Sequence, residues 1–362
     1  MTRFEGALAR ASARHGFVPA AHADVISRVC EDARFDPAGL AREGREGTLA
    51  IPFVRQLTAQ VARVSPDAAR HVHSGATSQD VIDTAASLCL KPACTRVLEL
   101  VARLGDAAAE LAQRHARTPT IARTLLQPAL PVSFGWKAAV WLSLLARTRQ
   151  AFRRASAEAC VLQFGGPSGT LASFGERGAE VSRALAQELG LGPSLVPWHS
   201  ARDRFARLGA EAAIVAGTAG KIGRDVSLLM QPEVGEAAEG ARAGRGGSSS
   251  MPHKRNPALS MLALEAAQRA PGLAATLLAQ LAPEHERGLG QWQSQWFTLR
   301  ELVCASASGA AAMADALEGL QVNEQAMRAN LERLLKGEPS DAFGAAGATI
   351  EEALAIWRET AP

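Results

Sequence analysis

CTRVLELVARLGDAAAELAQRHA, residues 94–116, decides the fold. Val97, Leu98, Val101, Leu104, Ala108 and Leu111 recur at steps of three and four. That spacing draws one apolar stripe along about six turns of a helix with 3.6 residues per turn. Similar stripes run near 133–160, 176–190, 203–231 and 258–282. Alanine is abundant, and it both favours helix and lets helices approach closely. Alternating β-branched runs are nearly absent. The expected fold class is all-α, a bundle of long helices.

Composition narrows the chemistry. The 362 residues carry a formal net charge of +3 with acids interspersed, which does not describe a nucleic-acid surface but tolerates a small anionic substrate. Tyrosine is absent, so no phenol serves as acid or base. No apolar run approaches the ~20 residues that span a bilayer. The first residues, MTRFEGALARASARHG, lack the apolar core of a secretory signal, so a cytoplasmic location is expected. Cys30, Cys89, Cys94, Cys160 and Cys304 are scattered with no CxxC and read as reduced, mostly buried thiols. His71 and His73 have no nearby carboxylate or cysteine in sequence to complete a metal set. No metal or cofactor is expected.

Breaks fall between the stripes. Pro52, Pro66 and Pro92 interrupt the first hundred residues, and Gly165, Gly166, Pro167 and Gly169 form a turn. The clearest break is ARAGRGGSSSMPHKRNP, residues 241–257, too rich in Gly, Ser and Pro to be helical. The expected domains are a helical amino-terminal part, 1–92, a central bundle, 93–312, and a short carboxy-terminal segment, 313–362.

The 241–257 loop also carries the chemistry. Gly244, Gly246 and Gly247 supply hinge freedom, and Ser248, Ser249 and Ser250 supply hydroxyls. Lys254 adds a cation. Asn256 suits an N-cap and Pro257 the first helical position. Hydroxyls, a cation and backbone N–H groups thus meet at a helix amino terminus, which favours anions. A plain linker gains nothing from MPHKRNP.

Three further segments are weaker alone. In HSGATSQDVIDTA (73–85), Thr77 or Ser78 can cap a helix, with Asp80 completing a capping box and His73 nearby. ARTLLQPALPVSFGWKAA (122–139) reads as a loop entering a core helix, with Thr124 and Gln127 polar in an apolar run. WHSARDRF (198–205) sets Arg202 and Arg204 around Asp203, a pattern usually found on salt-bridged faces.

GSSSMPHKRNP (247–257) resembles the signature loop of the fumarase/aspartase superfamily, G-S-S-x-M-P-x-K-x-N, at every fixed position. HSGATSQD and RTLLQPALP resemble its other two active-site segments, in order. LQFGGPSGTLASFG, WHSARDRF, GKIGRDVSLLMQPEVGE and HERGLGQWQSQW are similar to the branch of bacterial 3-carboxy-cis,cis-muconate cycloisomerases. The resemblance covers nearly the whole chain. It implies an L-aspartase-like bundle in a homotetramer, with each active site built from three subunits and acting on a small polycarboxylate. It implies that Ser248 transfers the proton and that His73 lies near the reacting centre. Lys254, Asn256 and Ser249 bind substrate on this reading, while Thr77, Ser78, Thr124 and Gln127 line the anion pocket. Arg202 and Arg204 are weaker carry-overs. Relative to the superfamily, both terminal domains are expected to be short.

The branch that cleaves succinyl-amines carries histidine where this chain has Leu125. An amine leaving group usually needs an acid. A carboxylate, with a reference pKa of about 4, does not. Leu125 therefore favours lactone closure, in which a substrate carboxylate adds to a conjugated double bond. The alternatives kept open are an adenylosuccinate-type lyase releasing fumarate and a non-catalytic structural relative of the fold.

Overall fold

A computed structural model of the chain describes residues 1–194, 196–240, 246–251, 253–335 and 343–360. The amino-terminal part holds α1 (Thr2–Arg14), α2 (Ala20–Asp32), α3 (Pro37–Glu43), α4 (Ala50–Ala62) and α5 (Pro66–Ala69). The 37-residue α6 (Ser78–Arg114) follows, then the strands β1 (Pro119–Thr124) and β2 (Gln127–Ser133), then α7 (Phe134–Ala159). After these come α8 (Gly178–Leu189), α9 (Asp203–Leu229), β3 (Ala237–Ala238), α10 (Ala258–Leu278) and α11 (Gln291–Glu318). The short β4 (Gln321–Val322), α12 (Glu324–Leu335) and α13 (Ala346–Glu359) complete the order. The fold is all-α, with two small antiparallel pairs, β1–β2 and β3–β4.

The stripe that opened the reading is the buried side of α6: Val97, Val101, Leu104, Ala108 and Leu111 are buried, and Leu98 is half-buried. Contrary to the expected interruption, Pro92 lies inside this helix. An internal proline costs about 3 kcal/mol through its missing N–H and its ring. Each fully buried apolar side chain returns about 1.5–3 kcal/mol, and α6 buries Val81 and Leu90 before the proline and many more after it.

The segment 122–139 departs from the expected loop. It pairs as a hairpin in which Thr124 faces Gln127 across a two-residue turn. Leu125 and Leu126 make that turn at φ 51° and 64°. Such turns ordinarily take Asn and Gly, so the Leu-Leu pair carries no turn signal in the sequence. None of the five cysteines is in a disulfide, but the thiols differ from the expected burial: Cys89 and Cys304 are exposed and only Cys30 and Cys94 are buried.

The chain divides into two compact units. Unit one is Met1–Ala93, Ser156–Ala206 and Ala279–Trp296; unit two is Cys94–Ala155, Arg207–Leu278 and Phe297–Pro362. The expected boundary after residue 92 adjoins the end of unit one's first segment, whereas 313–362 belongs to the same unit as α10. In unit one, α1 packs on α2 and α8, and Phe4, Leu8, Ile26, Leu57, Phe164 and Leu185 form its core. In unit two the core includes Leu104, Trp141, Ile222, Leu302 and Met313. There α9 and α10 meet so closely at Gly220 that a Cβ would lie 2.3 Å from that of Ala267.

Candidate active site

In unit one, the first turn of α6 is organised by Asp80, which is wholly buried. Its Oδ2 accepts the backbone N–H groups of Thr77 (3.0 Å) and Gly166 (2.9 Å). Its Oδ1 accepts that of Gly165 (3.0 Å) and lies 2.7 Å from His199 Nε2. One carboxylate therefore ties the 73–78 loop, the glycine turn at 165–166 and the segment around His199 together. The Thr77 contact is the reach-back half of a capping box. The other half is missing, because the Thr77 hydroxyl instead accepts from Arg287 Nη1 at 3.2 Å. Ser78 is the first residue of α6 and is half-buried.

His73 stands just before this turn, at φ 59°. Its Nδ1 lies 2.7 Å from Oε1 of Glu5, a buried side chain on α1. Burial works against charge on the ring, but the hydrogen bond and charge of Glu5, with the charge of Asp80, outweigh it and raise the His73 pKa.

Arg202 is used by the interior of unit one. Nη1 and Nη2 clasp Asp83 at 2.6 and 3.1 Å, Nε donates to Gln295 at 3.0 Å, and the guanidinium lies over the rings of Trp198 and Phe205. Trp292 Nε1 completes the shell of Asp83 at 3.0 Å. The guanidinium is 1% exposed and its donors are spent, so it offers nothing to a ligand. Arg204 is exposed, with Nη1 on the Glu158 carbonyl at 3.1 Å.

Unit two holds the signature loop. Residues 241–245, Gly244 among them, and Pro252 lie outside the described residues. From Gly246 on, the loop closes at a neck where the Asn256 N–H meets the Gly246 carbonyl at 2.8 Å. Gly246 has φ 70°, and a Cβ there would sit 2.7 Å from the Asn256 carbonyl, so only glycine fits. Within the loop, the Ser248 hydroxyl oxygen accepts the N–H groups of Met251 (3.2 Å) and Ser250 (3.4 Å). Ser249 and the Lys254 side chain are exposed.

Asn256 does not cap α10. Its side-chain amide donates to the Gly247 carbonyl at 3.3 Å, and the helix begins at Ala258. The cap comes from Glu239, which accepts the N–H groups of Leu259 (3.0 Å) and Ser260 (2.8 Å) and the Ser260 hydroxyl (2.7 Å). The anion at this helix end is thus part of the chain itself.

Thr124 and Gln127 are exposed at the hairpin tip. The hairpin is held by the buried Glu236, which accepts from Arg123 Nη1 (2.9 Å) and Nη2 (2.6 Å), Thr120 (3.2 Å) and Asn330 (2.9 Å). Nearby, burial and then the positive charge of Arg123 lower the pKa of Lys137. The sites therefore form two groups: His73, Thr77 and Ser78 in unit one, and Ser248, Ser249, Lys254 and Asn256 in unit two with Thr124 and Gln127 on its hairpin. Glu5, Glu236, Glu239 and Arg287 escaped the sequence reading. Among the described residues no group of three His, Cys, Asp or Glu side chains could hold a metal, and no helix is long and apolar enough to cross a membrane.

A long-helix bundle with a glycine-necked serine loop defines a member of the fumarase/aspartase superfamily. Residues 1–272 match the lyase family, and the chain belongs to it. It is 50% identical over 333 residues to the 3-carboxy-cis,cis-muconate cycloisomerase of Bradyrhizobium diazoefficiens, covering 92% of this chain and 74% of that one. The enzyme of the same name from Pseudomonas aeruginosa is 49% identical over 332 residues, covering 91% and 72%. The crystal structure of 3-carboxy-cis,cis-muconate lactonizing enzyme from Pseudomonas putida superposes with a TM-score of 0.92 at 35% identity, covering 99% and 94%.

Proposed function

We propose that this lyase-family chain is an intramolecular lyase, a cycloisomerase that closes 3-carboxy-cis,cis-muconate to 4-carboxymuconolactone in the degradation of aromatic compounds. The relatives at 49–50% identity carry that activity in their names. The observation that carries the mechanism is the pair of backbone N–H groups on the Ser248 oxygen. Serine is a poor acid or base in water. Hydrogen bonds to the charged form make its alkoxide accessible.

A carboxylate of the substrate adds to the conjugated double bond and forms the C–O bond of the lactone. The displaced π pair moves to the carbon alpha to the neighbouring carboxylate, whose oxygens share the charge. Ser248 gives its proton to that carbon, and the alkoxide left behind rests on the N–H groups of Ser250 and Met251 until solvent restores the proton. Lys254, Ser249 and Asn256 on the loop, Thr77 and Ser78 at α6, and Thr124 and Gln127 on the hairpin bind the carboxylates. His73 supports the reacting centre, while Arg202 and Arg204 hold unit one. Position 125 offers no acid, since Leu125 projects 96% exposed from the turn. We further propose a cytoplasmic homotetramer whose sites draw on more than one subunit.

The test is direct. Purified protein removes the ultraviolet absorbance of the diene, and inertness with ample enzyme defeats the reading. Ser248→Ala is expected to lower kcat about a thousandfold or more while KM moves only a few-fold, the signature of an interaction made in the transition state.

A further inference from the structure

The proposed reaction gives no part to Glu5, a buried acid. Glu5 lies on α1 with its side chain wholly removed from water. Its Oε1 meets His73 Nδ1, and its buried Oε2 has no hydrogen-bond partner among the described residues. Burying a carboxylate costs several kcal/mol, and a well-packed apolar residue would often serve the fold as well or better. The His73 imidazole, at hydrogen-bond distance, and the attraction of the Met1 ammonium offset part of that cost. Among the described residues His73 Nε2 has no partner, and it is not enclosed.

We propose that Glu5 is a positioning residue for the cycloisomerisation, holding the Nδ1–H of His73 so that Nε2 is the ring nitrogen presented to substrate. The inference rests on the function proposed above. A carboxylate on one nitrogen sets the tautomer and the ring plane, and so decides which nitrogen does the chemistry. His73 also occupies a left-handed backbone conformation, φ 59°, that residues with a Cβ rarely adopt. Strain of this kind persists where surrounding contacts over-determine it, and the Glu5 bond is one such contact. The charges acting on the ring are Glu5 from α1 and Asp80 from the first turn of α6; His199 bonds Asp80. Both carboxylates favour an imidazolium. Beside the amino end of α6, an imidazolium is a ready donor to the substrate carboxylate on which charge collects.

The experiment has a binding-independent arm and a kinetic arm. Histidine labelled with carbon-13 at Cε1, with His73→Asn to assign the signal, reports the titration of His73 in the full protein without any turnover. Glu5→Gln, isosteric with the native residue, is expected to lower that midpoint by about one unit or more. It is expected to cut kcat about tenfold or more with KM within about threefold, and to move the pH profile of kcat/KM with the titration. In the His73→Asn background the same change is expected to cost less than about twofold, because Glu5 acts through a ring no longer there. If Glu5→Gln does not fold, Glu5→Asp is read in the same way, since a shorter carboxylate lengthens the bond. An unmoved midpoint, full activity of a folded variant, or an undiminished loss in the His73→Asn background overturns the proposal. Native protein inert toward the substrate defeats the cycloisomerase reading and the catalytic role of Glu5 with it; the titration then still decides whether the pair exists.

Discussion

Arg202 and Asp83 show how one pair of residues can be mistaken for a ligand site. From sequence, Arg202 belongs to a charged cluster of the salt-bridged kind and, by resemblance, is a weak candidate for substrate binding; in the fold it is the buried counter-ion of Asp83. Arg202→Met leaves that carboxylate buried and unpaired, with an expected loss of about 3–5 kcal/mol in urea unfolding. Adding Asp83→Asn is expected to recover much of it, whereas a substrate-binding role predicts raised KM with unchanged stability. His73 makes a second prediction, about pH. Its pKa is raised in the folded state. Its contribution to stability is therefore complete below the ordinary imidazole value of about 6.5 and is lost as pH rises through the raised one. The stability difference between the native protein and His73→Asn is expected to shrink as pH rises above the ordinary imidazole value of about 6.5, measured by unfolding at each pH. A difference that grows with pH refutes the assignment.

At the scale of elements, the start of α10 differs most from what its sequence suggests. Asn256-Pro257 looks like a cap and first turn, yet Glu239 supplies the cap from the segment before the loop. Glu239→Ala is expected to cost about 1–2 kcal/mol, the usual loss for a charged cap, and to raise amide exchange at Leu259 and Ser260. If exchange there is unchanged, the cap is not what holds the helix end. The long helices were legible because their apolar periodicity is a local property of the chain: α7, α8, α9 and α10 begin within two residues of their stripes. The hairpin was not legible, because Leu125 and Leu126 stand where a turn normally announces itself with Asn and Gly. Asp80 was legible through its spacing from Thr77, whose N–H it accepts, whereas the proposed role of Ser248 came from the resemblance of its loop. Glu5 and Glu236 were not, because each meets its partner across more than 65 residues of chain, a distance that no periodicity encodes.

At the scale of the molecule, α10 raises a question that a single chain cannot answer. Its buried stripe, Leu259, Ala263, Ala266, Ala270, Ala274 and Leu277, faces its own unit. Its outer face carries the exposed pair Glu265 and Arg269, but at the start of the helix that face is apolar, with Met261 62% and Leu262 46% exposed. On α11, Phe297 is likewise 65% exposed. Leaving such side chains in water forfeits about 1.5–3 kcal/mol for each one that could be buried, which the proposed association of identical chains would recover. Sedimentation equilibrium is therefore expected to give four chains per particle. Met261→Glu with Phe297→Glu is expected to yield smaller, still helical species, because charge is introduced on faces that carry none of the unit's own core. If sites are shared between subunits, those species lose turnover in proportion to the assembly lost, although no residue proposed to touch substrate has changed. A dissociated variant that keeps full kcat would show that one subunit suffices.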